Sequence, residues 1–217
     1  MPHLSIVRVR EHVNPLSKKY QTPISPPDWD SLYHAFDRPL HLDIGCGKGR
    51  FLLQMAQVQP DWNFLGLEIR EPLVDQANGW KTELGLTNLH YLFCNANNSL
   101  RPLLQSLPAG RLQQVSIQFP DPWFKRKHQK RRVVQPDLIE ALADALAPDG
   151  TVFIQSDVAE VAIEMRDRLA AHTAFTCKSA DWLPTNPLPI PTERETSTME
   201  RGEAVYRSVF VRKVVGG

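Results

Sequence analysis

Asp121 and Trp123 stand two residues apart in Pro120-Asp121-Pro122-Trp123, at the end of an apolar run from Ile117 to Phe119. Six cationic side chains follow within nine residues: Lys125, Arg126, Lys127, Lys130, Arg131 and Arg132. From Asp121 to Arg132 the local balance is +5, in a chain whose net charge is only +1. A carboxylate accepts hydrogen bonds, an indole offers a flat face, and a row of cations holds phosphates. That combination suits a polyanion carrying planar groups, which is to say a nucleic acid. The same stretch also reads as a proline-rich surface turn ahead of a solvated charged face.

A second cluster lies earlier. Leu40–Ile44 is apolar and leads into Gly45-Cys46-Gly47-Lys48-Gly49, with Asp43 two residues ahead of the first glycine. Gly45, Gly47 and Gly49 permit a tight turn and close backbone approach to a ligand, and the helix behind them presents unpaired N–H groups. Glu68 ends the next apolar run, 19 residues after Gly49, where an acid accepts hydrogen bonds from ribose hydroxyls. The spacing is G-x-G-x-G and not the dinucleotide pattern G-x-G-x-x-G. Asp43 would repel a pyrophosphate but suits S-adenosylmethionine, whose ammonium and sulfonium are positive and which carries no phosphate. A methyl donor is therefore preferred over a nicotinamide. Asn95, just past a third apolar run, is placed either beside the adenine, where its amide can donate and accept, or as an ordinary turn residue.

These residues need a scaffold that brings them to one edge. Strand-like runs at Leu40–Ile44, Asn63–Glu68, Leu89–Phe93, Val115–Phe119 and Thr151–Gln155 are separated by segments with helical periodicity. Phe51, Leu52, Met55 and Val58 share one helical face. So do Leu73, Val74, Ala77, Trp80 and Leu84, then Leu138, Ile139, Leu142 and Leu146, and lastly Val158, Val161, Ala162, Met165 and Leu169. Alternation of this kind predicts an α/β fold: a doubly wound, mostly parallel sheet with helices on both faces, closed by an antiparallel C-terminal strand within Glu203–Lys213. A short helix is expected between Asp30 and Phe36. Residues 1–30 contain Pro2, Pro15, Pro23, Pro26 and Pro27 with Arg8, Arg10, Lys18 and Lys19 among them, which predicts an irregular N-terminal arm before one domain over 31–217. That arm folds against the body or an RNA, or is a disordered tail.

Bulk properties narrow the class. At 217 residues, 42% hydrophobic and 23% charged, the chain has the make-up of an ordinary globular protein. Cys46, Cys94 and Cys177 are isolated and form no paired metal-ligand spacing, so a reducing cytoplasm and no metal are expected. No apolar run approaches the ~18 residues of a membrane span.

Taken together, LDIGCGKGRFL, GLEIR, FPDPWFKRKHQKRR, QSD and PTERE resemble the bacterial tRNA (guanine-N7-)-methyltransferases, from about Leu40 to the C-terminus. The PDPW turn with its basic run is the specific part, since the glycine loop alone would indicate only a methyltransferase. The resemblance implies a Rossmann-like class I methyltransferase fold, S-adenosylmethionine as cofactor and a variable-loop guanine of tRNA as substrate. It implies cofactor contacts at Asp43, Glu68, Asn95 and Asp121, and a catalytic or base-orienting role for Asp121. It also implies substrate contacts at Lys125, Asp157 and the segment Thr192, Glu193, Arg194 and Glu195. Two positions depart from the family's pattern: Asn95 stands where an Asp is usual, and Arg194 occupies the often aromatic third place of the T-x-x-E motif. Ser197–Glu200 is a rival placement of that motif.

The chemistry is compatible. Guanine N7 carries a free lone pair and attacks a methyl sulfonium without first losing a proton, so alignment and exclusion of water suffice. No Cys nucleophile or Ser/His/Asp arrangement is evident in the sequence. Asp121 then serves as an acceptor for the guanine N1–H and exocyclic amine, or for the cofactor's ammonium. Trp123 either stacks on a base or plugs the loop from beneath. Arg131 and Arg132 lie further out and can serve as partners of Asp137 or Glu140; Asp157 either meets substrate or caps the helix beginning at Val158. Alternative functions are methylation of another RNA base or of a small molecule, and non-catalytic RNA binding on a relic cofactor fold. The partner expected is tRNA, with no membrane and no metal, the chain acting as a monomer or homodimer.

Overall fold

The computed structural model describes Val9 and residues 13–214. Pro2, Arg8 and Arg10 of the expected arm lie outside the described residues. Among the described residues, seven strands form one sheet in the order β3-β2-β1-β4-β5-β7-β6: β1 (Leu40–Ile44), β2 (Asn63–Glu68), β3 (Leu89–Phe93), β4 (Leu112–Gln118), β5 (Thr151–Ser156), β6 (Phe175–Cys177) and β7 (Tyr206–Arg212). The first five are parallel, and β7 runs antiparallel between β5 and β6. The expected architecture is present.

Among the described residues, seven α-helices connect or flank the strands: α1 (Trp29–Leu32), α2 (Arg50–Val58), α3 (Glu71–Glu83), α4 (Ala96–Gln105), α5 (Pro136–Ala145), α6 (Ala159–Ala171) and α7 (Glu193–Glu200). β1 and β2 are buried along their whole length, as parallel strands covered on both faces must be. α2 presents Phe51, Leu52, Leu53, Met55 and Ala56 to the core, where each larger side chain contributes roughly 1.5–3 kcal/mol of burial.

Several boundaries differ from expectation for identifiable reasons. β4 begins three residues early, at Leu112, and ends at Gln118 because Phe119 turns into the left-handed region at φ 49°. The short helix near Asp30 closes at Leu32, since Tyr33 is extended. α4 has no counterpart in the sequence reading: Pro102 lies inside it and three asparagines open it, both unfavourable signs. Tertiary packing of Leu100, Leu103 and Leu104 overrides them. α7 likewise was not foreseen as a helix, although Thr192 three residues before Glu195 is a capping pattern, and the Thr192 Oγ1 does accept from the Glu195 N–H at 3.1 Å.

Strand order reverses between β1 and β4, which places a crevice beyond their C-terminal ends. No helix among the described residues is long and apolar enough to cross a membrane.

Candidate active site

The crevice holds a cleft of about 150 Å³, walled by the glycine turn at Gly45, the β2 end from Leu67 to Arg70, the Cys94–Asn97 corner, and Phe119 to Asp121 with Trp123. Val13 and Pro15 of the N-terminal segment complete it. The described part of the arm therefore folds against the body. Its anchor is Asn95, whose Nδ2 donates to the carbonyls of Pro15 (3.1 Å) and Tyr20 (3.2 Å). Asn98 adds a bond to Tyr20 O at 2.7 Å, and Tyr20 packs edge-on against Phe93. The Oδ1 of Asn95 accepts from the Asn97 N–H and caps α4. An aspartate here would keep the cap but lose both donor contacts to the arm.

Gly45, Gly47 and Gly49 all adopt positive φ, at 82°, 58° and 76°. At Gly49 a second constraint applies: a Cβ would sit 2.7 Å from the Tyr91 ring, and Tyr91 Oη donates to the Gly49 carbonyl at 2.6 Å. The Gly47 N–H donates to Glu68 Oε2 at 2.9 Å, so the glycine turn and the β2 end are tied together. Glu68 also accepts from the Arg70 backbone (3.0 Å) and from its guanidinium Nε (2.8 Å). Burial opposes the charge on Arg70, but Glu68 and then the field of Asp121 outweigh it and raise its pKa.

Asp43 lies beneath the turn, 4% exposed, and Ser116 is its register partner on β4. Ser116 Oγ donates to Asp43 Oδ1 at 2.5 Å, Gln118 Nε2 donates to the same oxygen at 3.3 Å, and His41 Nε2 lies 2.9 Å from Ser116 Oγ. A His–Ser–Asp chain is thus present after all, contrary to the sequence reading. The hydroxyl sits between the other two groups and is wholly buried, so it holds Asp43 and cannot attack a substrate. Burial lowers His41 to about 3, keeping it neutral. Burial raises Asp43 to about 6; Ser116 and Gln118 act against that rise, and Glu68 adds to it. Cys46, pushed well above its ordinary value by burial and then by Glu68 and Asp43, stays a thiol.

Asp121 is half-buried on the cleft wall, and Trp123 beside it has φ 42°. The Arg131 guanidinium covers the Trp123 ring at 4.9 Å from its centroid, and His128 meets it edge-on at 5.9 Å. Arg132 is 3% exposed and turns the other way: its Nε donates to the Pro122 carbonyl at 2.7 Å, and its guanidinium pairs with Glu160 at 2.7 Å and with Glu164. Its partners are on α6, not Asp137 or Glu140. The basic run forms a 3₁₀ turn over Arg126–Arg131, entered from Lys125, which is exposed.

A family model described as "Putative methyltransferase" matches residues 37–208. A tRNA (guanine-N(7)-)-methyltransferase of Trichormus variabilis is 63% identical over 98% of this chain and 99% of its own length. One from Synechococcus elongatus is 61% identical, covering 95% and 97% respectively. This chain belongs to the tRNA (guanine-N(7)-)-methyltransferase family. Among solved structures, TrmN from Thermus thermophilus superimposes with TM-score 0.55 at 16% identity, over 82% of this chain and 45% of that one. The aminoglycoside resistance methyltransferase NpmB1 gives 0.54 at 16% identity, over 84% and 89%. At these identities the likeness is one of fold.

The family's late motif has a tertiary setting of its own here. Glu195 is 1% exposed and accepts from Arg207 Nη2 (2.7 Å), Gln155 Nε2 (3.1 Å) and Asn186 Nδ2 (2.6 Å), while Gln155 Nε2 also reaches Gln118 Oε1 at 2.8 Å. Thr192 caps α7. Glu193 pairs with Arg50, and Arg194 pairs with Asp157 at 2.7 Å. Asp157 is not the cap of α6, which starts one residue later than expected, at Ala159, behind Val158. Glu68, Asn95 and Asp121 thus wall the cleft and Asp43 lies buried beneath its glycine turn, whereas Thr192 to Glu195 and Asp157 form a separate buttress joined to Asp43 through Gln155 and Gln118. Ser116, Gln118, Gln155 and Arg70 were missed: the first three are unremarkable polar residues until the sheet puts them beside a carboxylate or its partner, and Arg70 reaches Glu68 by a local turn two residues on.

Proposed function

We propose that this chain transfers a methyl group from S-adenosylmethionine to N7 of a guanine in the variable loop of tRNA. The observation that carries the reading is a cleft walled by Glu68 and Asp121, with Asp43 buried beneath its glycine turn, opening beside a basic turn. The acids fit the cofactor. Glu68 is paired with Arg70, so Asp43 beneath the turn and Asp121 on the wall supply the negative charge that suits an ammonium and a sulfonium and disfavours a phosphate. Gly45, Gly47 and Gly49 form the turn against the cofactor, Glu68 accepts from ribose hydroxyls, and Asn95 acts on the adenine side by pinning Pro15 and Tyr20.

When bound, the cofactor supplies a methyl group on a positively charged sulfur. Guanine N7 has a free lone pair to accept that group, so the chain would need no side chain to remove a proton from it. Asp121 accepts from the guanine N1–H and exocyclic amine, which orients the ring and favours the charge it acquires. Pro120 and Pro122 stiffen that turn and Arg132 holds it by the Pro122 carbonyl. Lys125 meets the phosphates of the target strand, and Asp157 with Thr192, Glu193, Arg194 and Glu195 supports the tRNA side. The reading makes residues 31–217 one catalytic domain, working in the cytoplasm where tRNA is modified.

The test is transfer from methyl-labelled S-adenosylmethionine to unmodified tRNA, followed by chemical cleavage at N7-methylguanine. Label at a single variable-loop guanine is the expected result. Cofactor binding without any label in tRNA would remove the substrate assignment.

A further inference from the structure

Two neighbouring aromatics in this loop, Trp123 and Phe124, have different surroundings. Trp123 lines the cleft and has Arg131 over one face. Phe124, the next residue, is 66% exposed, the most exposed large apolar side chain among the described residues. Trp123 has a left-handed backbone, its indole lines the cleft, and the phenyl ring of the next residue is exposed. Phe124 is not among the residues that wall the cleft.

Its surroundings favour a polyanion. Lys125, Arg126, Lys127 and Lys130 are all exposed, and among the described residues none of them forms an ion pair, whereas Arg132 in the same run is paired twice. Isolated exposed apolar residues are common on proteins and mean little by themselves. An exposed ring set among four uncompensated cations is different, because its neighbours would repel a cationic partner and leave an apolar one poorly matched. Cationic grooves with aromatic platforms are how proteins hold single-stranded nucleic acid, the cations taking phosphates and the rings taking bases.

We infer that Phe124 is a stacking platform for an unpaired nucleotide next to the target base. It lies three positions after Asp121 in the chain, a reach of at most ~11 Å, so a strand whose target base enters the cleft runs its neighbouring nucleotide past this ring. The phenyl face holds that neighbour out of the strand's own stack. This lowers the cost of presenting the target base and adds a contact blind to base identity. The inference rests on the proposed tRNA reading and assigns that substrate a contact the motif residues do not supply.

The experiment compares wild type with Phe124→Ala, Phe124→Leu and Phe124→Trp. The readouts are steady-state methyl transfer to unmodified tRNA, anisotropy of fluorescein-labelled tRNA, and calorimetric binding of S-adenosylmethionine. Phe124→Ala is expected to raise the tRNA KM and Kd by roughly 5- to 150-fold, the range found for single base–aromatic stacks. Cofactor affinity and melting temperature should stay at wild-type values. Phe124→Trp restores tRNA affinity, and Phe124→Leu, apolar but without a π-face, does not. A tRNA Kd within twofold of wild type for Phe124→Ala, or rescue by Leu equal to rescue by Trp, overturns the inference. If wild-type protein binds tRNA but transfers no methyl group, the functional reading fails while the anisotropy series still decides the platform.

Discussion

Ser116 Oγ donates to Asp43 Oδ1 across 2.5 Å, between two residues that are register partners on adjacent parallel strands. The bond is buried and backed by His41, so the serine hydroxyl has one direction in which to point. Replacing Ser116 by Ala should weaken S-adenosylmethionine binding at neutral pH by roughly tenfold or more, because a hydrogen bond to a charged group contributes ~1.5–3 kcal/mol. Calorimetry measures this directly. An unchanged Kd would mean that Asp43 does not hold the cofactor.

Asp43 also sets a pH dependence. Its folded pKa, about 6, lies above the ordinary carboxylate value. Ionising it therefore costs the free protein stability: the Asp43 contribution is fully present below pH ~4 and is lost as pH rises through about 6. For a cationic ligand the sign reverses. Below pH 6 a proton must leave before the ammonium binds, so affinity should climb from pH 5 to about 6.5 and then level off. Asp43→Asn should bind weakly and show a flat profile over that range.

Asp121 should matter to turnover and not to folding. It sits half-buried on the cleft wall, and Asn keeps its shape. An amide presents a donor where the guanine N1–H and amine already donate, so the base loses its alignment. Asp121→Asn is expected to lower kcat by about 100-fold or more, on the scale of misplacing a reacting group by an ångström. Its circular dichroism should be unchanged. Wild-type turnover in a folded variant would remove Asp121 from the mechanism.

Arg132 is a fastener and not a phosphate contact. Arg132→Met should cost about 2 kcal/mol, since Glu160 is exposed and Glu164 keeps Arg168 as partner while the Pro122 carbonyl loses its donor. In a chain of this size that is roughly 4–8 °C in Tm. Lys should not substitute, because it cannot span two carboxylates and a carbonyl with a planar fork.

Lys125 and Arg126 are the converse case, exposed and without carboxylate partners among the described residues. Changing both to Ala should raise the tRNA KM and reduce the slope of log Kd against log salt by roughly 1.4–1.8, the value for two released counterions. Cofactor affinity should not move. An unchanged slope would make the run an ordinary solvated surface.

Chemistry that depends on short stretches of chain was readable before folding was considered. Leu40–Ile44, Asn63–Glu68 and Leu89–Phe93 are continuous apolar runs bounded by turn residues, and each became a strand with the limits its pattern implied. The glycine turn, Glu68 and the PDPW turn follow strands at their C-terminal ends, so a parallel sheet was bound to bring them to one edge. α4 was not legible, because local propensity opposed a helix that its buried leucines nevertheless stabilise.

Pairings between distant segments depended on the folded sheet. Asp43 meets Ser116, Gln118 meets Gln155, and Glu195 meets Arg207, because strand register and the antiparallel insertion of β7 bring them together. Pro15 forms a wall of the cleft because Asn95, 80 residues later, binds its carbonyl. That Trp123 lines the cleft while Phe124 is exposed is likewise a feature of the folded loop. A side chain's type limits which bonds it can form, but burial and geometry select among them, and neither is a property of a residue's near neighbours in the chain.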